Sequence, residues 1–138
     1  MKAKIFVGPP RSGKSRVAGM IADFVGNDKV VMIQGRGFRF DDPFLFQYIN
    51  EKTELLIIDD CLDNFKYEDF YEYARFDDKG EINGFIFYCQ GQRTPLHQIT
   101  VKRIIFTTNK LKKKYLQDAS FNRRFEVIDF PIDGLLEA

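Results

Sequence analysis

The sequence predicts an α/β protein, three α/β/α layers built around a parallel sheet of about five strands. Short apolar runs alternate with helical segments along the chain. Several of those runs are apolar throughout, as strands buried on both faces must be. The first run ends in a glycine-containing loop that leads directly into a helical segment. With 138 residues, 44% of them hydrophobic and 30% charged, the chain suits one domain spanning 1–138.

Lys4 to Val7 is a compact strand that ends at Gly8. Lys14 to Val25 has a helical rhythm, with Val17, Ile21, Phe24 and Val25 expected on one face. Val30 to Ile33 is a second, β-branched strand. Asp42-Pro43 reads as a helix start, the Asp as cap and the Pro in the first turn, opening PFLFQYIN. LLIID (Leu55 to Asp59) is a third buried strand, and KYEDFYEYARF reads as an amphipathic helix. Two apolar runs then flank Gln90 to Pro95, a hairpin signal. RIIFTTN (Arg103 to Asn109) is the next strand, followed by a lysine-rich helical stretch and a final strand, Glu126 to Phe130. PIDGLLEA closes the chain as a short tail, with no helical lid.

The formal net charge of +1 conceals an uneven distribution. Asp59 to Glu81 is mostly acidic, whereas Arg93 to Arg124 carries a run of lysines and arginines against Asp118 alone. Such a segment attracts a polyanion or forms a solvated face. Cys61 and Cys89 have no metal-ligand spacing and no disulfide framework, which points to a reducing compartment. Cys61 is expected to be a buried residue at a strand end. No apolar run reaches membrane-spanning length and no signal-peptide pattern precedes KIFVG, so a cytoplasmic protein without a membrane partner is expected.

The strongest motif is GPPRSGKS, comprising Gly8, Pro9, Pro10, Arg11, Ser12, Gly13, Lys14 and Ser15, with Arg16 following. It matches the phosphate-binding loop pattern G-x-x-x-x-G-K-[ST], between a strand and a helix as that pattern requires. Gly8 and Gly13 let the backbone wrap a phosphate, and the loop amides and helix N-terminus hold its charge. Lys14 is expected to reach the β- and γ-phosphates of ATP, and Ser15 to join the shell of a Mg²⁺ ion. In LLIIDD the two acids end a buried strand, at the edge of a parallel sheet where ligands bind. Asp59 is expected to meet the Mg²⁺ and Asp60 to orient or deprotonate an attacking water. Asn109, at the end of RIIFTTN, can hold that water or report on the γ-phosphate.

This order of motifs resembles the AAA+ ATPases and, within them, the superfamily 3 helicases of small DNA viruses, phages and plasmids. GPPRSGKS looks like their Walker A motif, LLIIDD like Walker B, and IIFTTN like motif C with its sensor asparagine. FNRRFEVIDF resembles their arginine-finger segment, and GQRTPLHQITVKR the region leading from their pre-sensor hairpin. The resemblance implies a homo-oligomeric ring, a hexamer, hydrolysing ATP at subunit interfaces while hairpins grip single-stranded DNA. It makes Arg124, or alternatively Arg123, a finger acting on the neighbouring subunit. At the hairpin, only Arg93, with His97 nearby, stands where the family usually has a lysine. The chain opens on its first strand, so a separate DNA-binding domain is not expected. A replication initiator or helicase partner would then supply what this chain lacks. Two other readings remain open: a small-molecule kinase, and a nucleotide-dependent loader or interaction module for a partner helicase. GRGFRF, Gly35 to Phe40, either stacks on bases or packs its phenylalanines under the sheet.

Overall fold

The computed structural model describes residues 1–131. The apolar runs become β1 (Ala3–Val7), β2 (Val30–Gln34), β3 (Leu55–Cys61), β7 (Arg103–Thr108) and β8 (Phe125–Asp129). They form one sheet in the order β2-β3-β7-β1-β8, and every neighbouring pair is parallel. The hairpin expected around Gln90 to Pro95 is present. Strands β5 (Ile82–Cys89) and β6 (His97–Val101) pair antiparallel, and β4 (Ala74–Phe76) adds to β5 to complete a second, three-stranded sheet.

Both faces of the parallel sheet are covered, which explains its uninterrupted apolar strands. In β3, Leu55 and Ile57 pack with Ala18 and Ala22 of α1 (Lys14–Val25), whereas Leu56 and Ile58 join a larger cluster on the opposite face. Ala18 and Ala22, the buried apolar residues of α1, are small enough to bring the helix close to the sheet. Phe24, expected on the buried face, is instead 89% exposed. It lies two residues beyond Ala22, about 200° around the helix, while Val17, Ile21 and Val25 flank the contact.

The opposite layer departs from the expected α/β/α plan. A small antiparallel sheet, a 3-10 helix and two short helices, α2 (Lys113–Leu116) and α3 (Ala119–Arg124), cover that face. KYEDFYEYARF forms the 3-10 helix Tyr67–Tyr73 followed by β4, not an amphipathic α-helix. Its buried aromatics Tyr67 and Phe70 are three residues apart, a spacing that suits three residues per turn. PFLFQYIN also fails to become a helix. Asp42 does accept from the Phe44 amide at 2.9 Å, as a cap would, but the chain continues through i to i+3 turns at Leu45, Gln47 and Ile49. Phe46 and Ile49 are thereby turned into the core.

Aromatic rings fill this second core. Phe70, Phe85, Phe87, Phe106 and Phe121 are fully buried, each side chain contributing roughly 1.5–3 kcal/mol of burial free energy. Phe38 and Phe40 lie 5.1 Å apart and pack against the same cluster, so GRGFRF serves the core rather than a base-stacking surface. Among the described residues no helix is long and apolar enough to cross a membrane. Apart from Pro131, the expected tail and lid-free end fall on 132–138, outside the described residues.

Candidate functional site

The loop Gly8–Gly13 joins β1 to α1 at the carboxyl edge of the parallel sheet. Its backbone is tightly constrained. Gly8 donates to the Thr108 carbonyl at 3.2 Å, and a Cβ at Gly8 would come within 2.9 Å of Phe130 Cβ and 2.8 Å of Ser12 Oγ. Only glycine fits there. Gly13, at φ 96, adopts a left-handed conformation as it caps α1, and among the described residues no side chain bonds to the first helical amides. Those amides remain available to an anion.

Lys14 folds back over the loop. Its Nζ donates to the carbonyls of Gly8 (2.6 Å) and Pro9 (2.9 Å) and to Asn109 Oδ1 (3.2 Å), with Ser12 Oγ at 3.4 Å. The residue is 8% exposed. Burial pushes its ammonium below the usual lysine range, while the carboxylates of Asp59 and Asp60 pull the other way. A desolvated cation supported chiefly by neutral acceptors is suited to receive an anion.

On the other side of the loop, Ser15 Oγ donates to Asp59 Oδ1 at 3.2 Å. A hydroxyl whose proton is taken by a carboxylate turns its lone pairs outward, where a cation can bind. Thr107 Oγ1 donates to the same Asp59 oxygen at 2.6 Å and accepts from the Asp60 amide at 2.8 Å. Asp60 has φ 60, a conformation that few non-glycine residues adopt. Its carboxylate is paired with Arg36, two residues past the end of β2. Gly35 places that arginine by lying against the β3 backbone, where a Cβ would meet Cys61 Cα at 2.7 Å. Gly35 also donates to the Asp59 carbonyl at 2.5 Å.

Residues from four separate segments thus converge at one edge: Lys14 and Ser15, Arg36, Asp59 and Asp60, and Thr107 with Asn109. The sheet order explains this. β7, which Asn109 immediately follows, lies between β3 and β1, so the acids and the loop flank it. Among the described residues no three His, Cys, Asp or Glu side chains cluster to hold a metal by themselves. Ser15 and Asp59 can supply two ligands, the number a Mg²⁺ needs when phosphate and water complete its shell.

The remaining candidates lie elsewhere. Arg11 (φ 66) and Arg16 are exposed beside the loop. Arg123 and Arg124 end α3 just before β8 begins, at the amino edge of the sheet. Arg124 donates to the carbonyls of Tyr71 (3.1 Å) and Ser120 (2.8 Å), and its guanidinium lies 5.0 Å from the Tyr71 ring. Arg123 is exposed and stacks 4.1 Å over Phe76. Arg93 is exposed in the β5–β6 turn, and His97 opens β6 opposite Cys89 with Nδ1 2.9 Å from the Pro95 carbonyl. Cys61 and Cys89 are buried, and desolvation pushes their thiols up to about 12 and about 11. Both therefore remain protonated core residues.

Sequence reasoning missed Arg36 and Thr107. Arg36 stood in a segment read for its aromatics, and Thr107 in a strand read for its terminal asparagine. For Thr107, a polar residue in an aliphatic run two positions before Asn109 was a usable signal.

No family model and no curated protein matches the chain. Among solved structures it is similar to the C-terminal region of NrS-1, a viral protein. The apo A form spanning residues 305–718 superposes with a TM-score of 0.61 at 12% identity over 99% of this chain. Another apo A-form structure of that region gives 0.54 at 15% identity over 95%. The chain spans 29% of the length of each, and at such identity the likeness is one of fold.

Proposed function

We propose that the chain binds Mg²⁺ and ATP at the carboxyl edge of the parallel sheet and hydrolyses the β–γ bond in a ring of its own copies. The ring would couple hydrolysis to DNA remodelling or translocation, in replication of a phage, plasmid or other mobile element. The observation that carries the nucleotide site is the Lys14 ammonium. It is buried against the Gly8 and Pro9 carbonyls and Asn109 Oδ1, beside a Ser15–Asp59 hydroxyl–carboxylate pair. Lys14 and the loop amides would bind the phosphates, and Ser15 and Asp59 would hold the cation. Mg²⁺, when bound, neutralises charge building on the β–γ bridge. Asp60 would orient the water and Asn109 would sense the terminal phosphate.

Arg123 or Arg124 would complete the site from a neighbouring copy, since both lie at the opposite edge of their own sheet. Arg123 is the better placed, because two backbone carbonyls engage Arg124. Arg93 and His97, in the β5–β6 hairpin, would contact single-stranded DNA.

Measuring ATP binding and DNA-stimulated hydrolysis, together with molecular size with and without an ATP analogue, tests this reading. Binding that is lost in Lys14→Ala, with larger assemblies when the analogue is present, is the expected result. A nucleotide-bound protein that stays monomeric sinks the ring.

The Arg36–Asp60 pair favours one second reading. A carboxylate paired with arginine is poorly placed to activate water, which suits a slowly hydrolysing module that loads a partner helicase. In that case hydrolysis would rise when the partner is added, and DNA alone would have no effect.

A further inference from the structure

The parallel pairing of β3 with β7 is interrupted between two matched positions. Ile58 lies opposite Phe106 and Cys61 opposite Thr108, so Asp59 and Asp60 together face the single residue Thr107. A bulge of this kind leaves the extra residue without its ladder partner and re-aims the side chains beside it. Here the Thr107 hydroxyl supplies what the ladder omits. It accepts from the Asp60 amide at 2.8 Å and gives its proton to Asp59 Oδ1 at 2.6 Å. Thr107 is 1% exposed, so water cannot readily replace it. Its neighbour Thr108 serves the other end of the bulge, its single hydroxyl proton lying between the Cys61 and Lys110 carbonyls (2.9 and 3.0 Å).

We propose that Thr107 is a positioning residue: one hydroxyl sets the Asp59 carboxylate towards Ser15 and locks the left-handed backbone of Asp60. This rests on the reading of the carboxyl edge as a Mg²⁺–nucleotide site. Asp59 Oδ1 receives the Thr107 proton and the longer Ser15 bond (3.2 Å), which fixes the carboxylate plane. Both of these bonds end on Oδ1, which leaves Oδ2 for a cation together with the Ser15 lone pairs. Without the hydroxyl the half-buried Asp60 amide would lose its partner, and the bulge would have no reason to keep both acids at the sheet edge.

The test compares Thr107→Val, which keeps the shape and loses the hydroxyl, with Thr107→Ser, which keeps the hydroxyl. In the nucleotide-free protein, Thr107→Val is expected to speed hydrogen exchange at the Asp60 amide at least tenfold, with Thr107→Ser near the parent. In hydrolysis, Thr107→Val is expected to raise the Mg²⁺ concentration for half-maximal rate about 10–100-fold, the range typical of residues that orient metal ligands. ATP affinity measured without Mg²⁺ should stay within about twofold, and Thr107→Ser should restore the Mg²⁺ dependence. Unchanged Asp60 exchange or unchanged Mg²⁺ dependence in Thr107→Val overturns the proposal. So does a Thr107→Ser that behaves like Val. If Thr107→Val does not fold, Thr107→Ala carries the same comparison. A parent protein that binds no ATP with Mg²⁺ sinks the nucleotide reading. The exchange measurement still decides whether Thr107 holds the acids.

Discussion

The two edges of the parallel sheet differ in how their charged groups are held. At the carboxyl edge, Lys14, Ser15, Asp59 and Asn109 bond to one another or to the loop backbone, and Asp60 is held by Arg36 and Thr107, although these residues come from four separate segments. At the amino edge, Arg123 and Arg124 are adjacent in sequence and, among the described residues, bond only to their own surroundings: an aromatic ring for the first, two carbonyls and two rings for the second. Strands of five to seven residues separate the edges by roughly 15–20 Å, more than an arginine side chain can span. Within a single chain these guanidiniums therefore do not reach the carboxyl-edge cluster. If they act on it, they act on another copy's.

The sharpest way to break that contrast is to remove each arginine separately. Should one be a finger, its alanine variant loses about 10³–10⁵ in hydrolysis rate and keeps ATP binding. Mixing that variant with Lys14→Ala subunits should restore activity, because hybrid interfaces regain both groups. If no mixture recovers activity while both variants assemble, the trans arrangement fails. Stability separates the two residues independently. Arg124→Ala gives up two hydrogen bonds to carbonyls and should lower stability by about 1–3 kcal/mol, whereas exposed Arg123→Ala should cost under about 1 kcal/mol. Denaturant titration reads both.

At the carboxyl edge, Lys14→Ala should weaken ATP binding by about 30–1000-fold, the loss of ~2–4 kcal/mol expected when one partner of a desolvated charge pair is removed. Titration calorimetry checks this, and affinity within threefold of the parent would deny Lys14 its role.

Arg36→Ala is a smaller probe of the same edge. The Arg36–Asp60 pair is largely exposed, so its loss should change stability by less than about 1 kcal/mol. If the pair restrains Asp60, hydrolysis should rise by about 2–5-fold, and a fall would show that Arg36 assists.

The smallest expected effect is in proton linkage. Burial lowers the Lys14 pKa in the free protein, so the unfolded chain binds more protons between the folded value and 10.5. Through that window stability without ligand rises with pH. A bound polyphosphate restores the ammonium, so ATP binding at alkaline pH should take up a fraction of a proton. Calorimetry in buffers of different ionisation enthalpy measures it, and proton release would contradict the placement of Lys14.

The primary sequence alone determined the strands of the parallel sheet, the loop–helix unit from Gly8 to Val25 and the β5–β6 hairpin. Each rests on local chemistry: an aliphatic run buried on both faces, glycines where a Cβ has no room, or a turn between two paired strands. The segments it misread, 42–50 and 66–76, have helical spacing, but aromatic residues drawn into a common core turned them into tight turns and a 3-10 helix. Over so few residues, spacings of 3.0 and 3.6 look alike, and packing decides between them. The same holds for Phe24, whose exposure follows from the close approach of Ala18 and Ala22 to the sheet. Only the tertiary structure could bring Arg36 to Asp60 and Thr107 to both acids. Those contacts span 24 and about 50 positions in sequence. They depend on strand order and on one extra residue in β3, and neither leaves a periodic trace in the chain.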